Sequence, residues 1–175
     1  CPILLRHVGL FLITVFLTGA CTSPNMQQNS MQSPDQTISN VTVLANIKNP
    51  TMGQTLYVPI YSHIYSEDRR STINLTATLS VRNTDLAQNL IINSVRYYDS
   101  DGQQVRQNLE QPILLKALAS KDFVIPRTDT TGGAGANFIV EWVAQQTISE
   151  PIVEAVMIGT EGNRGFSFVS PARMI

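Results

Sequence analysis

INLTATLSVR, residues 73–82, alternates apolar and polar side chains without a break. Ile73, Leu75, Ala77, Leu79 and Val81 fall on one side; Asn74, Thr76, Thr78, Ser80 and Arg82 fall on the other. Successive side chains of an extended chain point to opposite faces, so this period specifies a strand with one dry and one wet face. A helix would scatter the same residues around its surface. Burying the four large apolar side chains, at roughly 1.5–3 kcal/mol each, is enough to anchor a sheet.

Working outward, the flanking segments read as partners of this strand. Residues 41–47 form a candidate first edge strand, and Asn49–Gly53 is a turn cluster. Residues 54–66, QTLYVPIYSHIYS, place Val58, Ile60 and Ile64 on one face and Tyr57, Pro59, Tyr61, His63 and Tyr65 on the other. Pro59 lacks an N–H, so this segment is an edge strand or is broken at the proline. Asn83-Thr84-Asp85 closes the central strand with turn formers. Residues 89–98 are the next strand, and Asp99-Ser100-Asp101-Gly102 turns it into 103–109. Residues 113–118 and 122–125 are short strands, 127–136 is a glycine-containing loop, and 137–144 (NFIVEWVA) is a second strong strand. Residues 153–160 and 165–170 pair as a final hairpin. No run has a sustained helical period. The expected fold is therefore an all-β, immunoglobulin-like antiparallel β-sandwich over residues 54–175.

Composition narrows the function. The chain has 175 residues, 43% apolar and 14% charged, with net charge −1. That balance carries no electrostatic footprint for nucleic acid. Both cysteines, Cys1 and Cys21, precede the folded part, so neither a disulfide framework nor a Cys-rich zinc site is available to it.

The N-terminus reads as an address. Arg6 and His7 precede the apolar run Val8–Leu17, and the small residues Thr18-Gly19-Ala20 precede Cys21. This is the layout of a signal peptide over residues 1–20, and the run is too short to span a bilayer, which takes about 20 residues. Leu17-Thr18-Gly19-Ala20-Cys21 resembles a bacterial lipobox, with its leucine one place further from the cysteine than in the strongest form. The resemblance implies cleavage before Cys21 and a lipid on it. Loss of Arg6 leaves 11 basic and 13 acidic residues, a charge of −2. Thr22 after the cysteine points by the same resemblance to the outer membrane, facing the periplasm. A soluble secreted or periplasmic protein is the alternative. Residues 22–40 are a tether in which fifteen of 19 residues are Ser, Thr, Asn, Gln or Pro. Such a segment buries too little apolar area to offset chain entropy. As a coil it reaches on the order of 25 Å.

Five segments carry a family resemblance. YVPIYSHIY (57–65), LSVRNTD (79–85), YYDSDG (97–102), GGAGANFIVEW (132–142) and VEAVMIGT (153–160) are similar to an uncharacterised bacterial family of secreted and lipid-anchored proteins, a domain of unknown function. The resemblance spans about residues 55–173. It implies one intact domain and brings no activity.

Several residues are candidates for chemistry. Tyr57, Tyr61, His63 and Tyr65 share a strand face in this reading, an aromatic strip able to stack on a glycan or a peptide if it is exposed. Packing of that face on the domain is the competing reading. Asp129 and Asn137 are further ligand-binding candidates. Asp99, Asp101 and Asp129 are the oxygen donors that calcium would require, although a hairpin turn accounts for Asp99–Gly102 and the EF-hand pattern is incomplete. Gly132-Gly133-Ala134-Gly135 lacks the Lys-Ser/Thr of a phosphate loop, so positive φ or close backbone approach explains it. Glu141 lies among apolar residues of a strong strand and needs a partner, with Arg82, Arg96 and Arg127 available. The resulting expectation is a lipid-anchored envelope binding or scaffolding module, without catalysis or cofactor. Its membrane contact is the lipid at Cys21, and its partner is another envelope protein or a cell-wall glycan. The alternatives are a hydrolase using Glu141, Asp129 or His63, and a calcium-stabilised carbohydrate- or peptide-binding module.

Overall fold

A computed structural model describes residues 50–175 and the strand 41–43. The expectations for the signal peptide, Cys21 and the tether lie outside the described residues. The central alternation forms β4 (Thr72–Arg82), with Leu75, Ala77, Leu79 and Val81 buried on its dry side. The chain is otherwise built of β1 (Val41–Val43), β2 (Met52–Pro59), β3 (His63–Tyr65), β5 (Leu90–Tyr98), β6 (Gln104–Gln107) and β7 (Ile113–Leu115). It continues through β8 (Ser120–Ile125), β9 (Asn137–Ala144), β10 (Ile152–Glu161), β11 (Arg164–Pro171) and β12 (Arg173–Met174). A single 3-10 turn, Gly133–Gly135, precedes β9, and the described residues hold no α-helix.

The strands form two antiparallel sheets that face one another, the β-sandwich that the alternation predicts. One sheet has the order β1-β7-β5-β9-β2-β12, with β6 also on β5. The other has the order β11-β10-β4-β3, with β8 also on β4. Leu75, Leu79, Ile125, Ala155 and Met157 come from the five-stranded sheet. They meet Val58, Leu90, Ile92, Tyr97, Phe138 and Trp142 from the seven-stranded sheet in one core. Trp142 is fully buried, and its indole N–H donates to Gln54 Oε1 at 3.3 Å, so the polar end of the ring is satisfied.

A bulge in β5 sets which residues face out. Ile92 lies opposite Trp142, and Ser94 lies opposite Glu141, leaving Asn93 as the extra, exposed residue. One added residue inverts the alternation of everything after it. Val95 and Tyr97 therefore face the core, and Ser94, Arg96 and Tyr98 face outward.

The turn after β4 is a polar knot. Asn83 is buried, and its Nδ2 donates to the carbonyls of Gln88 (2.8 Å), Lys116 (3.0 Å) and Leu115 (3.2 Å). The Asp85 carboxylate accepts from the backbone N–H groups of Ala87 (2.9 Å), Gln88 (2.8 Å) and Ser149 (3.0 Å). Thr84 Oγ1 donates to Glu150 O at 2.7 Å. Three consecutive side chains thus fasten three separate loops. Replacing Asn83 with Ala strands buried carbonyls, and urea unfolding is expected to show a loss of about 1–3 kcal/mol. The same change at exposed Asn93 is expected to stay within about 0.5 kcal/mol.

Asp85 also makes this knot acid-sensitive. The N–H of Ala87, followed by those of Ser149 and Gln88, holds its carboxyl below the ordinary 3.8. A depressed folded value stabilises above the unfolded value, and the stabilisation is lost as pH falls through the folded one. Asp85→Asn is therefore expected to flatten the decline of stability below pH 3.8. Urea midpoints by circular dichroism across that range check it.

Candidate functional site

The aromatic strip expected over 57–65 is divided between the sheets. Pro59 ends β2, and the chain crosses at Ile60–Ser62 to begin β3 in the opposite sheet. The crossing is fastened by Ile60 N–H to Ala136 O (2.9 Å), Ser62 N–H to Gly133 O (3.0 Å) and Leu75 N–H to Ser62 O (2.9 Å). Tyr57 therefore shares no strand with His63 and Tyr65. Tyr61 packs edge-on against Phe168, with ring centroids 5.7 Å apart, and lies against the core. His63 and Tyr65 pack edge-on with each other at 5.7 Å, and Tyr65 is exposed. Pro59 is the physical reason: it cannot donate a ladder hydrogen bond, and the strand stops there.

The structure instead brings Tyr57, Asn137 and Glu141 together on the outer face of the seven-stranded sheet. Residues in cross-strand register build this face row by row. Pro59, Asn137, Tyr98 and Gln104 make one row; Arg173, Tyr57, Ile139, Arg96 and Gln107 make the next; Thr55, Glu141 and Ser94 make the third. Arg96 pairs diagonally with Glu141 in a short ion pair. Asn93 Nδ2 also reaches Glu141 Oε2, at 3.4 Å. Of the arginines available to Glu141, Arg82 pairs with Glu154 (3.6 Å) and Arg127 donates to Thr160 Oγ1 (2.9 Å). Beside the Arg96–Glu141 pair lies a shallow depression of about 250 Å³, lined by Gly53, Thr55, Asn93, Glu141 and Val143 among others. Ser94 Oγ and Arg96 Nε, on the same face, are covered and have no partner among the described residues.

Tyr98 is not among the sequence candidates, and Arg96 enters there only as an available partner of Glu141. Strict alternation from Ile92 would bury them, and the bulge at Asn93 turns them out. A signal existed: Leu90 and Ile92 are followed by Val95 and Tyr97, an odd spacing that period two cannot accommodate.

Loop 127–136 is a built structure. The Ser100 N–H and hydroxyl both donate to Gly132 O at 2.9 Å, and Gly135 N–H donates to Ser100 Oγ at 2.9 Å. Ser62 Oγ donates to Gly133 O at 3.0 Å. The loop's N–H of Gly135 is thus occupied by a serine, which agrees with a structural role for these glycines. Gly133 has φ +76°, and a Cβ on Gly132 would lie 1.9 Å from the Tyr97 hydroxyl oxygen. Asp129 pairs with Arg106 at 2.6 Å and accepts the Thr131 hydroxyl at 2.6 Å. The Thr131 hydroxyl, then Arg106, holds the Asp129 carboxyl below its ordinary value. Asp99 Oδ1 accepts the N–H groups of Asp101 (2.9 Å) and Gln103 (2.8 Å), closing its own hairpin. Gly102 supplies the positive φ of that turn, +78°. Asp99 and Asp129 are thus engaged separately. Among the described residues no three His, Cys, Asp or Glu side chains come together as a metal site.

Segments 57–65, 97–102 and 132–142, which carry part of the family resemblance, therefore meet at one end of the sandwich. A family model described as a protein of unknown function (DUF3124) matches residues 53–175. The chain belongs to this family. The match starts one residue into β2 and covers every later strand. Comparisons with curated proteins and with solved structures returned no match.

Tyr97 gives this end a spectroscopic handle. Its side chain is fully buried, and its hydroxyl lies against Gly132 with no hydrogen-bond partner among the described residues. Burial, then the negative charge of Asp129, pushes its ionisation above 10. A raised folded value stabilises below the unfolded value and is lost as pH rises through the folded one. One of the five tyrosines is therefore expected to ionise last in an ultraviolet titration, and Tyr97→Phe to remove that step. Tyr97→Phe is expected to leave stability unchanged or raised, because an unpartnered buried hydroxyl contributes nothing favourable. Tyr97→Ala is expected to cost about 3–5 kcal/mol.

Proposed function

We propose that the protein is a lipid-anchored binding module of the bacterial cell envelope whose ligand is a cell-wall glycan, held on the outer face of the seven-stranded sheet. The observation that carries this reading is the composition of that face. Tyr57 and Tyr98, separated by one intervening strand, flank Asn137 and the Arg96–Glu141 pair. The two strand spacings between them amount to about 10 Å. Sugar rings offer C–H faces that stack on aromatic rings and hydroxyls that bond to amides and ion pairs. A sheet face with half-buried tyrosines beside polar groups suits an extended chain of such rings. The depression beside Glu141 accommodates a substituent.

The sequence supports the anchor. Leu17–Cys21 resembles a lipobox, and residues 22–40 separate Cys21 from the sandwich. With Thr22 after the cysteine, the reading places the domain on the periplasmic side of the outer membrane. Binding is preferred to hydrolysis because the hydrolase candidates are dispersed. Glu141 is engaged by Arg96, Asp129 by Arg106, and His63 belongs to the opposite sheet.

Co-sedimentation of the detergent-solubilised full chain with purified peptidoglycan tests the reading. The wild type is expected to sediment with the glycan. Tyr57→Ala/Tyr98→Ala removes two stacking contacts of about 1 kcal/mol each and is expected to weaken binding tenfold or more. His63→Ala/Tyr65→Ala, on the other sheet, is expected to bind as the wild type does. No sedimentation of the wild type, or equal binding by the Tyr57/Tyr98 variant, overturns the glycan reading. Release of reducing sugars that Glu141→Gln abolishes would establish a hydrolase instead.

A further inference from the structure

We infer that the end of the sandwich carrying Leu86 and Leu118 is a membrane-contacting tip, whose leucines insert into the lipid surface that holds the chain's own anchor. This inference rests on the reading of Cys21 as lipidated and adds to it the orientation in which the sandwich is held.

Three observations converge on this end. The first is where the chain enters the fold. Val41, the first residue of β1, lies opposite Leu115, the last residue of β7, and Lys116 follows. β2 begins at the same end: the N–H of Thr51 donates to Ala144 O at 2.9 Å, and its hydroxyl donates to Gln145 O at 2.8 Å. Both strands therefore start on the side of the Asn83 knot. Residues 22–40 link Cys21 to this end of the sandwich and not to the other.

The second observation is a difference in charge between the two ends. Loops 66–71, 99–103, 126–136 and 161–164, at the far end, hold ten charged residues. Loops 83–89, 116–119 and 145–151, at the knot, hold three: Asp85, Lys116 and Glu150. Asp85 is engaged by backbone N–H groups, and Glu150 accepts Gln54 Nε2 at 2.9 Å. On this charge-poor end Leu86 and Leu118 are 82% and 64% exposed. A lipid surface accepts apolar side chains and penalises charge.

The third observation is the backbone of Leu118. It holds the third position of the turn that Ala119 N–H closes on Lys116 O at 3.0 Å, with φ +59°. That position suits glycine or asparagine, and a bulky side chain is strained there. Among the described residues Leu118 is the only non-glycine residue with positive φ. Burial does not offset the strain, because the side chain faces water. A large apolar group kept exposed on a strained backbone points to a contact outside the chain.

The two leucines also act from one rigid tip. Leu118 N–H donates to Asp85 O at 3.2 Å, the carbonyl that precedes Leu86. Asn83 and Thr84 fasten the same loops, so little ordering remains to oppose insertion. Insertion here stands the strands on the membrane, with the Tyr57–Tyr98 face open to the side and the charged loops turned away.

Quenching by brominated lipid tests the inference. Trp142 is the only tryptophan and is fully buried, so an added tryptophan reports its own surroundings. The full chain is reconstituted into phosphatidylethanolamine–phosphatidylglycerol vesicles with or without dibrominated phosphatidylcholine. Leu86→Trp is expected to lose emission to the brominated lipid, and Arg69→Trp, in an exposed loop of the far end, to lose none. Leu118→Gly, which suits the turn, is expected to reduce the quenching at position 86 while circular dichroism stays unchanged. Where Leu86→Trp fails to fold, Ala87→Trp, exposed in the same loop, carries the reporter. A wild-type chain that does not float with the vesicles overturns the anchor reading and this inference with it. A floating chain whose reporter in loop 83–89 is unquenched, is quenched no more than the one at 69, or is quenched equally after Leu118→Gly overturns this inference alone.

Discussion

Strand β4 must bury one face and pair along both edges, and the rest of the sandwich follows from that demand. On one edge it takes β10 over eight residue pairs. On the other it takes β3 near its start and β8 toward its end. Its dry side then requires a second apolar layer, which β2, β5 and β9 supply through Val58, Ile92, Val140 and their neighbours. Neither layer is stable alone, because each exposes its apolar face to water. The large apolar area removed between them drives the assembly.

Polar side chains fix how the layers are closed at their ends. At one end Asn83, Thr84 and Asp85 bind backbone groups from three loops. At the other, Ser62 and Ser100 hold the glycine loop, with Tyr97 packed beneath Gly132. A buried backbone group without a partner costs about as much as a lost hydrogen bond, so these few side chains select one loop arrangement among many. The loops are fastened by neutral Asn, Ser and Thr side chains, by the Asp85 and Asp99 carboxylates that accept backbone N–H groups, and by the Arg106–Asp129 pair.

The two sheets leave different outer surfaces. The seven-stranded sheet presents tyrosines, an amide and an ion pair, whereas the five-stranded sheet presents threonines and β-branched aliphatics. The division is one of side-chain chemistry. It arises from ordinary alternation, since every second residue of a strand is released from the core and is free to take another role.

Much of this was legible along the chain. Alternation identified β4 and β9, turn residues identified the hairpins at Asp99–Gly102 and Glu161–Arg164, and Glu141 among apolar neighbours announced an ion pair. These are local properties: side-chain period, backbone freedom at glycine, and the cost of an unpaired charge. The division of Tyr57 from His63 and Tyr65 was half legible, because Pro59 signals a break but not the sheet in which the chain resumes. The outward turn of Arg96 and Tyr98 depended on a single bulge residue. The sequence by itself determined that the domain is a β-sandwich and where its strands turn, because those follow from contacts between near neighbours. Only the tertiary structure decided which residues share a surface, because strand order and register join residues far apart in the chain and one inserted residue reverses every face beyond it.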